Sequence, residues 1–171
     1  KELEGFFFPD TYFVAPGSSA TALLRLMNKR MKEELDKAWA QRAPNTPLKS
    51  PYEALILASI IEKETGRDAD RPLVGSVFTN RLRIGMRMQT DPTVIYGLGE
   101  KFDGNLRKVD LQTDTPYNTY TRNGLPPTPI ALPGRASLRA AVAPPPSEFL
   151  YFVARGDGTS EFSKNLAEHN R

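Results

Sequence analysis

Apolar residues recur along much of this chain with the spacing of α-helices. The first such stretch follows a turn at Pro16–Ser19 and extends to about Arg42. Its apolar face carries Leu23, Leu24, Met27, Met31, Leu35 and Ala38, and the opposite face is rich in Lys and Glu. Because residues three and four positions apart share a helix face, this pattern predicts a long amphipathic helix packed on a core.

A second apolar stretch, from Ser50 to Gly66, has recognisable start and stop signals. Ser50 is placed to cap the helix, Pro51 takes the first helical position, and Glu53 completes a capping box. Gly66 stands where a C-terminal capping glycine is common. The sequence therefore predicts a well-delimited apolar helix.

The apolar stripe of this second helix ends in an acidic residue. Leu57, Ile60, Ile61 and Glu64 share one helix face, whereas Glu62 points roughly the opposite way, as a solvated neighbour would. A carboxyl half-buried among aliphatic side chains at the negative end of a helix has a raised pKa, as a general acid needs at neutral pH. Glu64 is thus the leading catalytic candidate, although a Glu-Lys-Glu helix end is more often simply solvated.

A third helix and a shorter fourth helix follow. Asp68 or Asp70 can cap the third helix, and Gly85 ends it. Its core-facing residues are Leu73, Val74, Val77, Phe78 and Leu82. Met86–Thr90 then alternates as a strand does, before a short helix with Asp91 as N-cap, Pro92 as first residue and Gly97 at its end. Gln89 and Thr90 are thereby predicted to lie at a strand-to-helix junction.

Regular periodicity is absent from residue 97 to residue 134. A loop of this length in a compact domain usually forms a binding wall or a lid. Its Tyr, Asn and Thr side chains suit a polyhydroxylated ligand, which stacks on aromatic rings and needs amide and hydroxyl partners. A structural loop stiffened by its prolines is an equally good interpretation of the composition.

The remaining patterns complete a prediction of the fold. A helix from about Arg135 to Val142 precedes a hairpin, whose strands are Phe149–Ala154 and Thr159–Phe162. We predict an α+β fold of one domain over residues 1–171, mainly helical, with four or five helices around the core. A small antiparallel β-sheet is predicted from the aromatic segment at residues 3–14, Met86–Thr90 and the hairpin.

Composition narrows the possible chemistry of this chain. With 39% hydrophobic and 25% charged residues, the 171-residue chain resembles an ordinary globular protein, and its net charge of +3 is too small to indicate nucleic acid binding. The absence of cysteine excludes disulfides, a Cys nucleophile and Cys-ligated zinc. A single histidine, His169, excludes a His triad or a multi-His metal site within this chain, so we expect no metal or cofactor. Because the chain begins at Lys1 without methionine, we interpret it as a fragment.

Six segments, in order, closely resemble the YceG-like family of endolytic murein transglycosylases, and the resemblance covers nearly the whole chain. They are residues 3–12 (LEGFFFPDTY), 58–65 (ASIIEKET), 80–86 (NRLRIGM), 89–97 (QTDPTVIYG), 117–120 (YNTY) and 124–127 (GLPP). Six motifs in the same order are far more specific than any one of them. The resemblance implies cleavage of the β-1,4 bond between N-acetylmuramic acid and N-acetylglucosamine inside glycan strands, leaving 1,6-anhydromuramoyl ends. By analogy, the active site is locally similar to lysozyme and lytic transglycosylases.

The resemblance also implies roles for particular residues. The catalytic acid of the family corresponds to Glu64. The substrate-binding candidates are Gln89, Thr90, Asn118, Thr119 and Tyr120, together with Asn80 and Arg81, which either orient the loop or contact the glycan. Glu62, Asp91 and Asp10 are reserve carboxylates for a hydrolytic mechanism, although Asp91 is better explained as a helix N-cap.

The family resemblance further implies a cellular setting. Its members carry an N-terminal membrane anchor and a LysM-like subdomain, which are not part of this sequence, and act at the extracytoplasmic face of the bacterial cell membrane. The implied partners are peptidoglycan strands and cell-wall synthases such as penicillin-binding proteins, with no nucleic acid. Two alternatives remain open: a muramidase-type hydrolase that adds water to the same bond, and a non-catalytic glycan-binding scaffold for the synthases.

Overall fold

The computed structural model describes residues 4–170, which form seven α-helices and one two-stranded sheet. In chain order the elements are α1 Ala20–Ala40, α2 Pro51–Glu64, α3 Arg71–Ile84, α4 Asp91–Leu98, α5 Lys108–Gln112, α6 Arg135–Val142, β1 Tyr151–Ala154, β2 Ser160–Ser163 and α7 Leu166–His169. Short 3₁₀ turns lie at Asp68–Asp70 and Gly99–Lys101. The predicted α+β class, with a mainly helical core, is confirmed.

Helix α2 lies at the centre of the core because its sequence is apolar on every side. All eight residues from Ala54 to Ile61 are buried. A helix without a polar face must be covered all round, and α2 packs against α1, α3, α4 and α6. Full burial of each Leu or Ile side chain stabilises the fold by about 1.5–3 kcal/mol. This packing holds the C-terminal end of α2, where Glu64 lies, at a fixed place.

Close contact between α3 and α6 depends on a glycine. A Cβ atom added to Gly75 would lie 2.2 Å from the carbonyl oxygen of Ala140 on α6. Real atoms do not approach so closely, so only glycine permits this crossing. The two helices that flank α2 are therefore joined backbone to backbone.

The predicted signals at the ends of the helices are confirmed in part. Ser19 caps α1 through the backbone N–H of Ala22 at 3.0 Å, and Ser50 caps α2 through that of Glu53 at 3.2 Å. Gly85 ends α3 with a φ of 72°.

Two predicted caps have other roles in the structure. The Glu53 carboxylate accepts from the N–H of Lys49, one residue before the cap, so the capping box is only half formed. Gly66 is not the C-cap of α2, because the extended residue Thr65 ends the helix by bonding to the Ile61 carbonyl through its N–H and its hydroxyl.

The sheet is smaller than predicted. Tyr151 pairs with Ser163 and Ala154 with Ser160, which confirms the C-terminal hairpin. The prediction that the N-terminal segment and Met86–Thr90 join this sheet is wrong. The N-terminal segment instead lies along α1, where the Phe8 N–H donates to the Met27 carbonyl at 3.0 Å. Its predicted start at Leu3 falls outside the described residues.

Other contacts attach the hairpin and the sixth helix to the rest of the fold. The Asp70 carboxylate, predicted as a possible helix cap, instead accepts from the backbone N–H of Ser160 at 3.0 Å. On α1, the Glu34 carboxylate accepts two hydrogen bonds from the Arg135 guanidinium, from Nε at 2.9 Å and from Nη2 at 2.8 Å. Within residues 4–170, no helix is both long and apolar enough to cross a membrane.

Candidate active site

Glu64 is a half-buried carboxyl at the C-terminal end of α2. Its Oε1 atom accepts a hydrogen bond from the hydroxyl of Thr90 at 2.6 Å. Burial raises the pKa of Glu64 above its usual 4.5, and the Asp91 charge adds to this rise, while the Thr90 bond and the Arg81 charge oppose it. The side chain thus has the environment that the helical spacing predicts. Its second oxygen, Oε2, is the one left to exchange a proton with a ligand.

The hydroxyl that holds Glu64 belongs to a buried cluster of three threonines. The Thr90 N–H donates to the Thr119 hydroxyl at 3.0 Å, and the hydroxyls of Thr93 and Thr119 lie 2.9 Å apart. Thr93 also donates to the Thr90 carbonyl at 2.9 Å. All three residues are buried. This cluster fixes the backbone of Thr90, from which the hydroxyl reaches the Glu64 carboxyl.

Gln89 has a backbone conformation that is unusual for its residue type. Its φ is 50°, the only positive φ at a non-glycine position among the described residues. This left-handed conformation interrupts the strand predicted over Met86–Thr90. The Gln89 N–H donates to the Thr119 carbonyl at 3.2 Å, and its side chain is exposed next to Thr90. A strained backbone and an exposed amide, in the residue that precedes the Glu64 partner Thr90, make Gln89 a candidate ligand contact.

Arg81 fixes the segment that carries Gln89 and Thr90. Its guanidinium donates to the Met88 carbonyl and, at 2.8 Å, to the Leu150 carbonyl, and it lies 5.4 Å from the centre of the Tyr151 ring. Because both carbonyl contacts are to backbone, Arg81 joins α3 to the active-site segment and to the approach to β1. The structure thereby places Arg81 under the site, where its charge also acts on Glu64.

Asn80 lies one residue earlier but has a different role. Its amide donates to the carbonyls of Ser147 at 3.0 Å and Phe149 at 2.9 Å, and its oxygen accepts from Arg83 at 2.9 Å. These contacts hold the segment between α6 and β1. This segment is not the loop that Asn80 was predicted to orient, and contact of Asn80 with the glycan stays a prediction.

The predicted binding loop is ordered by Asn118. This residue is 1% exposed, and its amide nitrogen donates to the carbonyls of Leu111 at 3.0 Å and Thr113 at 2.8 Å. Its oxygen accepts from the N–H of Tyr120 at 2.8 Å and of Thr121 at 3.2 Å. Asn118 thus faces the inside of the loop, whereas the Thr119 hydroxyl faces Thr90 and Thr93. Both side chains are buried, so neither is open to a ligand in this structure.

Tyr120, in contrast, points toward the site. Its hydroxyl donates to Oδ1 of Asp91 at 2.5 Å, and its backbone carbonyl accepts from Arg87 at 3.0 Å. Burial and the Asp91 carboxylate raise the pKa of Tyr120, so its hydroxyl remains a donor.

The bounds of α4 differ from those predicted. The prediction that Asp91 is the helix N-cap is wrong, because Thr90 has the N-cap position and Asp91 is the first residue of α4. The helix also continues past Gly97, its predicted end, to Leu98.

The two other reserve carboxylates lie in structural contacts. Glu62 is not the solvated neighbour that its helical position predicts, because its Oε1 accepts from the N–H of Gly134 at 2.7 Å and the hydroxyl of Ser137 at 3.3 Å. Its other oxygen lies 3.7 Å from Arg71. It therefore caps the start of α6. Asp10 is an exposed residue of the N-terminal segment that pairs with Arg30 of α1 at 3.5 Å.

Sequence reasoning missed Thr93 and Tyr151 as parts of the site's framework. Thr93 lies three positions after Thr90 in a helix that begins Asp-Pro-Thr, which is a signal for a hydroxyl bond back to the N-cap carbonyl. Tyr151 gives no such signal, because its contact with Arg81 joins residues far apart in the chain. Among residues 4–170, no group of three or more His, Cys, Asp or Glu side chains could hold a metal ion.

The fold and the site define an α+β protein in which one half-buried carboxyl, that of Glu64, has a raised pKa and accepts a hydrogen bond from a threonine hydroxyl. The profile of the YceG-like family matches residues 1–171, and the chain belongs to this family. The endolytic murein transglycosylase of Bacillus subtilis (strain 168) is 42% identical over 170 residues. The protein of the same name from Streptococcus pneumoniae serotype 2 (strain D39) is 31% identical over 176 residues.

A solved structure also resembles the chain throughout. The 2.6 Å crystal structure of a YceG-like protein from Listeria monocytogenes matches 98% of this chain with a TM-score of 0.80 and 42% sequence identity. The matched region is 54% of that chain. It is 46% of the Bacillus protein and 31% of the Streptococcus protein, so the chain spans half or less of the curated relatives it matches.

Proposed function

We propose that this chain is the catalytic part of an endolytic peptidoglycan transglycosylase. It would cleave the β-1,4 bond between N-acetylmuramic acid and N-acetylglucosamine inside glycan strands and leave a 1,6-anhydromuramoyl end. The observation that carries this proposal is the Glu64 carboxyl, which is half-buried, has a raised pKa and is fixed by the Thr90 hydroxyl. The names of the Bacillus and Streptococcus relatives support the same reaction.

One carboxyl is sufficient for this reaction. Protonated Glu64 gives its proton to the glycosidic oxygen as the bond from that oxygen to C1 of muramic acid breaks. The C6 hydroxyl of the same sugar then attacks C1 and loses its proton to the Glu64 carboxylate. The carboxyl is regenerated and no water is added, so the second carboxylate of an ordinary glycosidase is unnecessary.

The remaining site residues would act in two ways on the glycan. The exposed Gln89 amide and the Tyr120 ring are the groups that we assign to direct sugar contact. Thr90, Thr119, Asn118, Asn80 and Arg81 would act indirectly, by holding Glu64, Gln89 and the loop in place. We further propose that the chain acts on nascent strands at the extracytoplasmic face of the cell membrane, together with cell-wall synthases.

Digestion of purified sacculi tests the proposed reaction. Mass spectrometry separates the outcomes, because anhydro ends are lighter by one water than reducing ends. The wild-type protein should release anhydromuropeptides, and Glu64→Gln should lower their yield at least about 100-fold, the usual contribution of general acid–base catalysis. Reducing ends would instead indicate a hydrolase, and binding of sacculi without any product would indicate a scaffold.

The adjacent acid provides a matched control. Glu62→Gln makes the same chemical change two residues away, in the group that caps α6. It should retain anhydromuropeptide formation and lower the free energy of unfolding by about 1 kcal/mol, because the Gln oxygen still accepts but without the added strength of a bond to a charged group. Equal activity of Glu64→Gln and Glu62→Gln would contradict the assignment of Glu64.

A further inference from the structure

Arg87 is an exposed cation in the active-site segment, and the reaction as described does not use it. Arg87 and Gln89 are both exposed. Met88 and Thr90, which alternate with them along the chain, are buried, and Thr90 bonds to Glu64. Arg87 therefore lies on the exposed side of the segment, two residues from the amide that we assign to sugar contact.

Two uncharged acceptors hold the guanidinium of Arg87. Its Nη1 atom donates to the backbone carbonyl of Tyr120 at 3.0 Å, and its Nε atom donates to the Asn123 side-chain oxygen at 3.3 Å. A guanidinium has five N–H donors in one plane. Within the described part of the chain, the second N–H of Nη1 and both N–H groups of Nη2 remain for a ligand. These groups lie side by side at the end of the side chain.

No carboxylate is paired with Arg87 among residues 4–170. Arg122, in the adjacent loop, is different, because it donates to both oxygens of Asp114 at 3.0 and 3.1 Å. The Nη1 and Nη2 edge of a guanidinium matches the two oxygens of a carboxylate, and its planar geometry makes the contact selective. Arg87 is thus an oriented cation with the donors that a ligand carboxylate requires.

We propose that Arg87 determines specificity by binding a carboxylate on the lactyl-peptide substituent of muramic acid. This inference rests on the proposed transglycosylase function. Muramic acid is the sugar at whose C1 atom Glu64 would act, and its C3 oxygen carries a lactyl group to which the peptide stem is joined. The stem has free carboxylates, and removal of the stem exposes the carboxylate of the lactyl group. Either source supplies the anion that Arg87 would bind.

The charges around Tyr120 give this contact a direction. The Tyr120 backbone carbonyl accepts from Arg87, and the hydroxyl at the far end of its ring donates to Asp91. A sugar stacked on this ring would have a cation on one side and an anion on the other. Its anionic substituent would be attracted to Arg87 and repelled by Asp91, which favours one orientation of the glycan strand.

Binding of soluble glycan strands to Glu64→Gln protein tests the inference without cleavage. Three preparations differ only in the substituent: strands with intact stems, strands whose stem carboxylates have been converted to amides, and strands freed of stems by an amidase. Arg87→Gln, added to Glu64→Gln, should weaken binding of intact strands about tenfold and of amidated strands less than about twofold, because only the former has a charge-assisted hydrogen bond to lose. Calorimetry measures each affinity.

The third preparation identifies the source of the carboxylate. If Arg87→Gln also weakens binding of strands without stems, the lactyl carboxylate is the partner. If it does not, the partner is a carboxylate of the stem. Arg87→Lys keeps the charge without the planar fork, so it should retain part of the preference for intact over amidated strands.

A remote arginine provides the matched control. Arg25→Gln removes an equal charge from the exposed side of α1 and should change the affinity for none of the preparations. Equal effects of Arg25→Gln and Arg87→Gln would reflect net charge alone and overturn the inference. Equal weakening of intact and amidated strands by Arg87→Gln would also overturn it, because Arg87 would then only support Tyr120 and Asn123. So would an unchanged affinity for both preparations.

Cleavage by the active protein gives a separate readout. Arg87→Gln should raise KM for intact strands about tenfold with kcat nearly unchanged, because a contact to the substituent is made equally in the ground state and the transition state. A lower kcat at unchanged KM would contradict the inference. If the wild-type protein forms no anhydromuropeptides, the proposed function fails, whereas the binding measurements still decide whether Arg87 recognises a carboxylate.

Discussion

Glu62 and Glu64 differ in role although only one residue separates them. The helical period is sufficient to predict that Glu64 continues the stripe of Leu57, Ile60 and Ile61, all of which are buried. It is insufficient for Glu62, whose partners Gly134 and Ser137 come 72 and 75 residues later. Local spacing indicates which way a side chain points, but the group that it meets depends on the whole fold.

The raised pKa of Glu64 predicts a pH dependence of folding. The unfolded carboxyl ionises near 4.5, and the folded one ionises only at higher pH, so the folded state binds the extra proton between these values. Relative to Glu64→Gln, the wild-type protein should therefore lose stability as pH rises through this window. Melting temperatures of both proteins from pH 4 upward, at about one-unit steps, check this. A constant difference across the whole range would contradict it.

Gln89 allows separation of backbone strain from side-chain function. Gln89→Gly should raise the free energy of unfolding by up to about 1 kcal/mol, because glycine adopts the φ of 50° without steric cost. The same change should lower anhydromuropeptide release, because the exposed amide is lost. Gln89→Ala controls for the side chain while keeping the strain. Denaturant unfolding and product yield together test both statements, and full activity of Gln89→Gly would remove Gln89 from the site.

At the level of elements, the sequence predicts the helices well and the sheet poorly. Helices α1, α3 and α6 have the predicted caps or bounds because hydrophobic spacing and capping residues are local signals. Met86–Thr90 alternates as a strand does, yet its Met88 carbonyl bonds to the Arg81 side chain. Alternation indicates an extended backbone. It does not identify the partner that satisfies that backbone.

Asn118 holds the loop at residues 97–134, which lacks a regular hydrophobic period, through side-chain hydrogen bonds. Asn118→Ala removes hydrogen bonds to two carbonyls and two N–H groups, each worth about 0.5–1.5 kcal/mol, so it should destabilise the protein by about 3 kcal/mol. Hydrogen exchange should show faster opening of residues 113–121. Asn123→Ala, in the exposed part of the same loop, should change stability by less than about 0.5 kcal/mol. Equal effects of the two substitutions would contradict the role of Asn118.

At the level of the whole molecule, the fold consists of helices packed around α2, and the site lies at the end of that helix. The sequence predicts the central helix and its acid, because both follow from one apolar stripe. It does not predict the crossing of α3 and α6, because glycine in a helix has several explanations. Only the 2.2 Å separation from the Ala140 oxygen shows why Gly75 is needed.

This crossing predicts opposite outcomes for two identical substitutions. Gly75→Ala should lower the free energy of unfolding by at least about 2 kcal/mol, because α3 and α6 must move apart. Gly66→Ala should be neutral or slightly stabilising, since an added Cβ there meets no atom within 4 Å. Urea unfolding of both variants checks the prediction. A Gly75→Ala protein as stable as Gly66→Ala would show that the two helices can separate without cost.

The contact between Arg81 and the Leu150 carbonyl has a consequence for the order in which the site is completed during synthesis. Ribosomes make the chain from its N-terminus, so α2, with Glu64, and the segment with Gln89 and Thr90 emerge long before residue 150. Until Leu150 has emerged, the Arg81 guanidinium lacks one of its two backbone acceptors. A nascent chain can thus assemble its helical core first, and it gains a fixed active-site segment only when the residues leading into the C-terminal hairpin have emerged.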